Sequence, residues 1–176
     1  MQRIARGLVP ALADFSLIFL ADAIAIQCVA GAHATADGAR LVRMLMRSYR
    51  IGRRDPSSTV AQVIRTSQPL LRSDIHHDSS SRRDAVSELH RRLAPCSALA
   101  VPIDLAGSVV GALSVCYSHS GRSYAPADVP AVTHAASRIA AALSRTRAAD
   151  ATLRLRPSTR DTRQGTTIRR RVAPRD

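Results

Sequence analysis

Three cysteines, six histidines and scattered carboxylates are the side chains with which this chain could do chemistry. Cys28, Cys96 and Cys116 are odd in number, and their gaps form neither a CxxC pair nor a zinc pattern. Each sits beside apolar residues, which reads as free buried thiols in a reducing compartment. His76, His77 and Asp78 are adjacent, but side chains this close in sequence rarely converge on a metal without ligands from elsewhere. They read as a polar loop, and no metal site is assigned. Asp74, Asp78 and Asp84 have no evident partner for acid–base work. His119 stands between Ser118 and Ser120, but no orienting carboxylate follows it, so the three residues are no catalytic triad. The pattern points to a chain without catalytic machinery, and it identifies no cofactor.

The charge is large and of one sign. Arg and Lys number 26 against 13 acidic residues, a net +13, and every one of the basic residues is arginine. Such a field attracts nucleic acid or anionic membrane. No nucleic-acid motif accompanies it, so a solvated basic surface is the simpler reading. Arg3 and Arg6 precede an apolar stretch, and Ala32, His33 and Ala34 mimic a signal-peptidase site. Asp14 and Asp22 interrupt that stretch, and a charge at the centre of an inserted helix costs roughly 2.5–3.5 kcal/mol. The expectation is a cytoplasmic protein with no membrane span.

The elements that would position these residues follow from periodicity. Residues 1–12 read as a helix, with Ile4, Leu8 and Leu12 on one stripe. Residues 15–20 and 23–30 read as a strand hairpin about Ala21 and Asp22. Thr35 is a candidate N-cap for a helix to Tyr49, with Leu41, Val42, Leu45, Met46 and Tyr49 on its apolar side. Residues 50–58 read as a loop, 59–66 as a short helix, 69–75 as an edge strand and 82–93 as a helix. Residues 97–104 and 108–118 are the clearest strands, joined by a hairpin at Ala106 and Gly107. Pro126 opens a long helix whose Val129, Val132, Ala136, Ile139 and Leu143 step by three and four.

This order predicts an α+β domain over residues 1–150. Its centre is a five-stranded antiparallel sheet with 108–117 as a central strand. Terminal helices cover one face of the sheet. Short helices and loops cover the other, where a pocket could form. Residues 151–176, rich in Arg, Thr and Pro, read as a basic disordered tail.

The segment Ser97-Ala-Leu-Ala-Val-Pro-Ile103, followed by Gly107-Ser-Val-Val-Gly-Ala-Leu-Ser-Val115, resembles the GAF family. The stretch from Arg3 to Asp14 looks like the first helix of that family running into its first strand. Val60 to Pro69, followed by Asp74, looks like its short helix and edge strand. The resemblance spans residues 1–147 and is nearest to domains of bacterial sensor kinases and phosphatase regulators. It implies a non-catalytic regulatory domain that binds an unidentified small ligand or mediates protein–protein contact. It also implies a homodimer through the terminal helices and a kinase or phosphatase output partner. The chain starts inside the family's usual first helix, and no output domain follows, so a fragment of a larger sensor remains an open alternative.

By family matching and strand parity, the pocket candidates are Leu17, Phe19, Val60, Ala61, Ser114 and Cys116. Plain core packing would place the same residues inside. Two family activities fit poorly. Bilin attachment uses a cysteine followed by histidine, and none of the three cysteines has one. Cyclic-nucleotide binding uses an Asn-Lys pair where Tyr117 and Ser118 stand here. The enzymatic alternative is a free methionine sulfoxide reductase, whose cysteine before the short helix maps to about Thr59. Nucleic-acid binding through the Arg-rich tail is the other alternative, although the sequence argues against it.

Overall fold

The computed structural model describes residues 1–75 and 85–154, with side chains described as far as 148. The polar 76–81 segment, with His76, His77 and Asp78, lies outside the described residues. So do Asp84, the first residues of the helix expected at 82–93, and the tail from 155.

Along the chain run α1 (Gln2–Gly7), β1 (Phe15–Ala21), β2 (Ala25–His33), α2 (Ala36–Ser48) and β3 (Arg50–Gly52). Then follow α3 (Thr59–Thr66), β4 (Leu70–Arg72), α4 (Ala85–Leu93), β5 (Ser97–Leu105), β6 (Ser108–Tyr117) and α5 (Val129–Arg154). The strands form one antiparallel sheet in the order β3-β2-β1-β6-β5-β4. β6 is central, as expected, between β1 and β5. The sheet has six strands rather than five, because residues expected as loop pair with the edge of β2, Ile26 opposite Ile51. Three residues are too few to show a periodicity in sequence.

β1 shows why the sheet buries both faces. Phe15, Leu17 and Phe19 pack on the side of α2, α3 and α4. Ile18 packs on the opposite side, against α1 and α5. Ser16 points the same way as Ile18 and donates its Oγ–H to the Ala5 carbonyl of α1 at 2.9 Å. A strand covered on both faces reads as a continuous apolar run, as residues 15–20 do.

A register shift between Ile18 and Phe19 bulges β2 at Val29, which is partly exposed. Cys28 therefore faces the α2 side while Ala30 and Ala32 face α1 and α5. At the β5–β6 hairpin, Ala106 (φ 54°) and Gly107 (φ 82°) both adopt left-handed backbone, the geometry of a two-residue turn that matches strand twist. The Asp104 carboxylate accepts the Gly107 N–H at 2.8 Å.

The terminal helices lie together on one face. In α5, Val132, Ala136 and Ile139 are buried against the sheet, joined by Ala135 and Ala140. Val129 and Leu143 are partly buried at either end of this seam. Beyond Leu143, residues 144–148 are exposed while the helix continues to Arg154. At 26 residues, α5 is about 39 Å long and outruns the sheet. α1 is shorter than expected and ends at Gly7. Pro10 lacks an N–H and disfavours helical backbone at Val9, so residues 8–12 form turns instead. No helix among the described residues is long and apolar enough to cross a membrane.

Candidate functional site

Between the sheet and α3 lies a cavity of about 510 Å³. Its floor is set by strand register. Leu17 of β1 pairs with Ser114 of β6, and Phe15 pairs with Cys116, so Leu17, Phe19, Ser114 and Cys116 share one face. Ala98 of β5 pairs with Cys116 and extends that floor. One wall is the start of α3. Ser58 is its N-cap and accepts the Ala61 N–H at 3.2 Å. That cap presents Ser58, Thr59 and Val60 to the space. Tyr49, just beyond α2, closes the side. Its ring lies 4.8 Å from that of Phe19, tilted by 52°, and its hydroxyl lies 3.4 Å from Ser58 Oγ. Arg72, Ile75, His90 and Pro95 complete the rim.

The structure thus brings five of the six pocket candidates, Leu17, Phe19, Val60, Ser114 and Cys116, to one space. Ala61 is not on its wall. Ala61 follows Val60 by a rotation of about 100° around the helix, which turns it into the core, where it is wholly buried. Tyr49, Arg72 and His90 are additions that the sequence reading lacked. Arg72 alone was accessible to parity. Leu70 and Leu71 pack on opposite faces of the sheet, so Arg72 returns to the cavity side with Leu70. Tyr49 was readable as inward-facing from its helical stripe, but its place at this rim, like that of His90, comes from tertiary packing, for which the sequence carries no signal.

Burial holds the thiol and the phenol of the cavity in their protonated forms. Burial pushes the Cys116 thiol up to about 12, and its Sγ lies 3.9 Å from Ser114 Oγ. Burial likewise raises Cys28 to about 12 and raises Tyr49 above the usual phenol range. A thiol so shifted is almost wholly protonated at neutral pH and is a poor nucleophile. Among the described residues, no three His, Cys, Asp or Glu side chains converge as a metal site would require.

A GAF-domain family model matches residues 1–144. The chain belongs to the GAF family. The GAF fold is matched by solved structures of low identity. A methyl-accepting chemotaxis protein fragment has a TM-score of 0.62 at 20% identity, covering 81% of this chain and 85% of that one. The second GAF domain of DevS from Mycobacterium smegmatis has a TM-score of 0.59 at 18% identity, covering 85% and 97%. The PixJ GAF domain of Thermosynechococcus elongatus, in its blue-light absorbing form, has a TM-score of 0.58 at 18% identity, covering 87% and 90%. No curated protein matches the chain.

This GAF domain carries a second polar cluster at the far end of β1. Asp14 is buried, and its Oδ2 accepts the backbone N–H groups of Ser118 at 2.7 Å and Ser120 at 2.9 Å. The same oxygen lies 3.6 Å from His119 Nδ1. A carboxylate does therefore face His119, supplied from the other end of the chain, which corrects the sequence expectation. No triad results. Ser118 Oγ approaches the same nitrogen, Nδ1, at 3.3 Å. A relay needs the acid and the hydroxyl on opposite ring nitrogens.

The rings of His119 and His33 stack at 5.5 Å, and His33 stacks on Phe15 at 5.7 Å. His33 Nδ1 accepts the Thr35 N–H at 3.0 Å, and Thr35 in turn caps α2 by accepting from Gly38. That acceptor role requires the neutral ring. Burial lowers the His33 pKa, the adjacent His119 lowers it further, and Asp14 opposes both. The unfolded chain then binds a proton at His33 near pH 6.5, before the folded chain does. Stability should accordingly fall as pH drops below the unfolded value, until the folded pKa is passed. Denaturant midpoints between pH 7.5 and 5 should decline in the wild type. The decline should be shallower in His33→Asn, which keeps an acceptor but does not titrate. Equal slopes would refute this role for His33.

Proposed function

We propose that this GAF domain is a non-catalytic sensory module. In this reading, a small ligand occupies the cavity between β1, β6 and α3, and α5 passes the signal to a kinase or phosphatase partner. The observation that carries it is the cavity itself. Its size lies within the roughly 300–1,000 Å³ of small-molecule sites, and it combines apolar walls with a few hydroxyls and one cation. Leu17, Phe19, Val60, Ser114 and Cys116 are the proposed contacts, with Ala61 a supporting residue beneath them. The GAF domains of signalling proteins with the same fold support the role.

The test is thermal unfolding against a panel of small molecules. A ligand at a hundredfold excess over its dissociation constant stabilises by about 2.7 kcal/mol. Ser114→Phe should fill the cavity and remove any such shift. A shift that survives Ser114→Phe would place the site elsewhere.

The reductase alternative is disfavoured by two features. Thr59 stands at the first position of α3, where that activity would need its cysteine. Cys116 is held protonated in the floor. Free methionine sulfoxide should not be turned over with thiol reductant. Turnover abolished by Cys96→Ser or Cys116→Ser would overturn the sensory reading.

The proposal includes a weak parallel homodimer through α1 and α5. A shallow cleft between them is lined by Ile4, Leu8 and Ala135 and flanked by Arg3 and Arg138. Arginines facing each other across such an interface repel, so salt should strengthen the dimer by screening. Sedimentation should show more dimer at high salt than at low salt. A strict monomer at high micromolar concentration in both would exclude it, and a dimer indifferent to Leu143→Glu would place the contact elsewhere.

A further inference from the structure

The cavity wall has an unbalanced charge inventory. Among the described residues that line it, Arg72 is the sole arginine or lysine, and no carboxylate is present. The Arg72 guanidinium has no ion-pair partner among the described residues. The hydrogen bond at this residue uses its backbone carbonyl, which accepts from Ser97 Oγ at 3.0 Å. Asp55, two residues before the cavity-lining Ser57, accepts the Ser57 N–H at 2.9 Å and the Ser57 hydroxyl at 2.6 Å.

The geometry gives the cation room. Arg72 pairs with Ala98, whose methyl group is also part of the cavity wall. A small residue opposite the guanidinium leaves the floor beside it open. Deeper in, Leu17, Phe19 and Val60 offer apolar contact, and Phe19 and Tyr49 form a tilted aromatic pair. Such a pair offers a face and an edge to a further ring. Among the described residues, Ser114 Oγ has only the 3.9 Å approach to Cys116 Sγ, and so keeps a hydroxyl for a ligand atom.

From this arrangement we infer that the cavity selects an aromatic monocarboxylate. The ring lies against Leu17, Phe19 and Tyr49, and the carboxylate meets the Arg72 guanidinium at the rim. The inference rests on the ligand-binding reading above and names its ligand class. One cation without an ion-pair partner among the described residues matches one unit of negative charge, and a guanidinium meets a planar carboxylate through two parallel N–H bonds. A dianionic phosphate would leave half its charge unmatched.

The experiment measures binding of two acid and amide pairs to the full chain by calorimetry. The pairs are indole-3-acetate with indole-3-acetamide, and 1-naphthoate with 1-naphthamide. Each amide keeps the ring and shape and removes the charge. The wild type should bind at least one acid about tenfold or more tightly than its amide, the scale of one charge-assisted pair. Arg72→Gln should abolish that preference, leave amide binding unchanged and keep the wild-type circular dichroism. Arg72→Lys should retain part of it.

Equal binding of acid and amide, or a preference intact in Arg72→Gln, overturns the carboxylate assignment and leaves the cavity reading standing. Failure of both acids to bind also overturns the assignment. Binding unaffected by Ser114→Phe overturns both readings, because it places the ligand outside the cavity.

Discussion

Gly111→Ala is expected to unfold this domain or leave it insoluble. Gly111 lies in β6, opposite Leu20 of β1 and Ile103 of β5, at the centre of the sheet. A β-carbon there would collide with the Phe19 carbonyl oxygen, well inside van der Waals contact. That oxygen belongs to a neighbouring backbone, so no side-chain rotation relieves the clash. Either β1 and β6 separate, losing their pairing, or the floor of the cavity shifts with Phe19. Overpacking of a core costs about 1–3 kcal/mol and more where backbone must move. A loss of at least about 3 kcal/mol is expected against a total of roughly 5–15 kcal/mol for a domain. Gly52→Ala is the matched control. It lies at the end of edge strand β3, where an added methyl would meet nothing within 4 Å, and it should be silent. The readout is the urea midpoint of purified protein, or the soluble fraction where none can be purified. A Gly111→Ala midpoint within error of wild type would refute the close approach of β1 to β6.

Asp14→Ala should be the second most damaging change. The Asp14 carboxylate ties the segment after β6 to the entry of β1 through one oxygen and two backbone donors. Burial pushes its pKa up, but the Ser118 and Ser120 N–H bonds outweigh burial and hold it below the ordinary value of 3.8. Alanine would orphan both donors, at about 1–3 kcal/mol for each one kept from water. Ser120 is exposed and Ser118 half-buried, so water can replace part of the loss. A net cost of about 2–3 kcal/mol is expected on that basis. Asp14→Asn can present one carbonyl oxygen to both donors and should cost about 1 kcal/mol.

The pH dependence separates this residue from His33. Because its folded pKa is depressed, the Asp14 contribution is fully present above the unfolded value. It is lost as pH falls through the folded value, below 3.8. The His33 effect begins higher, near pH 6.5. Wild type and Asp14→Asn should therefore converge in stability in strong acid. A gap between them that stays constant down to pH 2 would refute the assignment.

Features that depend on neighbours along the chain were legible before folding was considered. The Ala106–Gly107 turn was readable because a glycine between two apolar strand runs marks a hairpin, where left-handed backbone favours it. The helix Thr59–Thr66 was readable because the spacing of its apolar residues is a local signal. Strand parity placed Leu17, Phe19, Ser114 and Cys116 on a common face, because side chains alternate whatever lies above them. The Val132, Ala136 and Ile139 seam announced a helix laid on a sheet. Contacts between segments far apart in sequence were fixed by folding alone. β3 exists only because β2 offers it an unpaired edge. Ala61 left the cavity wall because the roll of α3 is fixed by the core beneath it. Tyr49, Arg72 and His90 meet at one rim although they belong to three separate segments. Asp14 faces His119 across more than a hundred residues of sequence, since an unsatisfied buried carboxylate is too costly to fold around and these donors lie within reach.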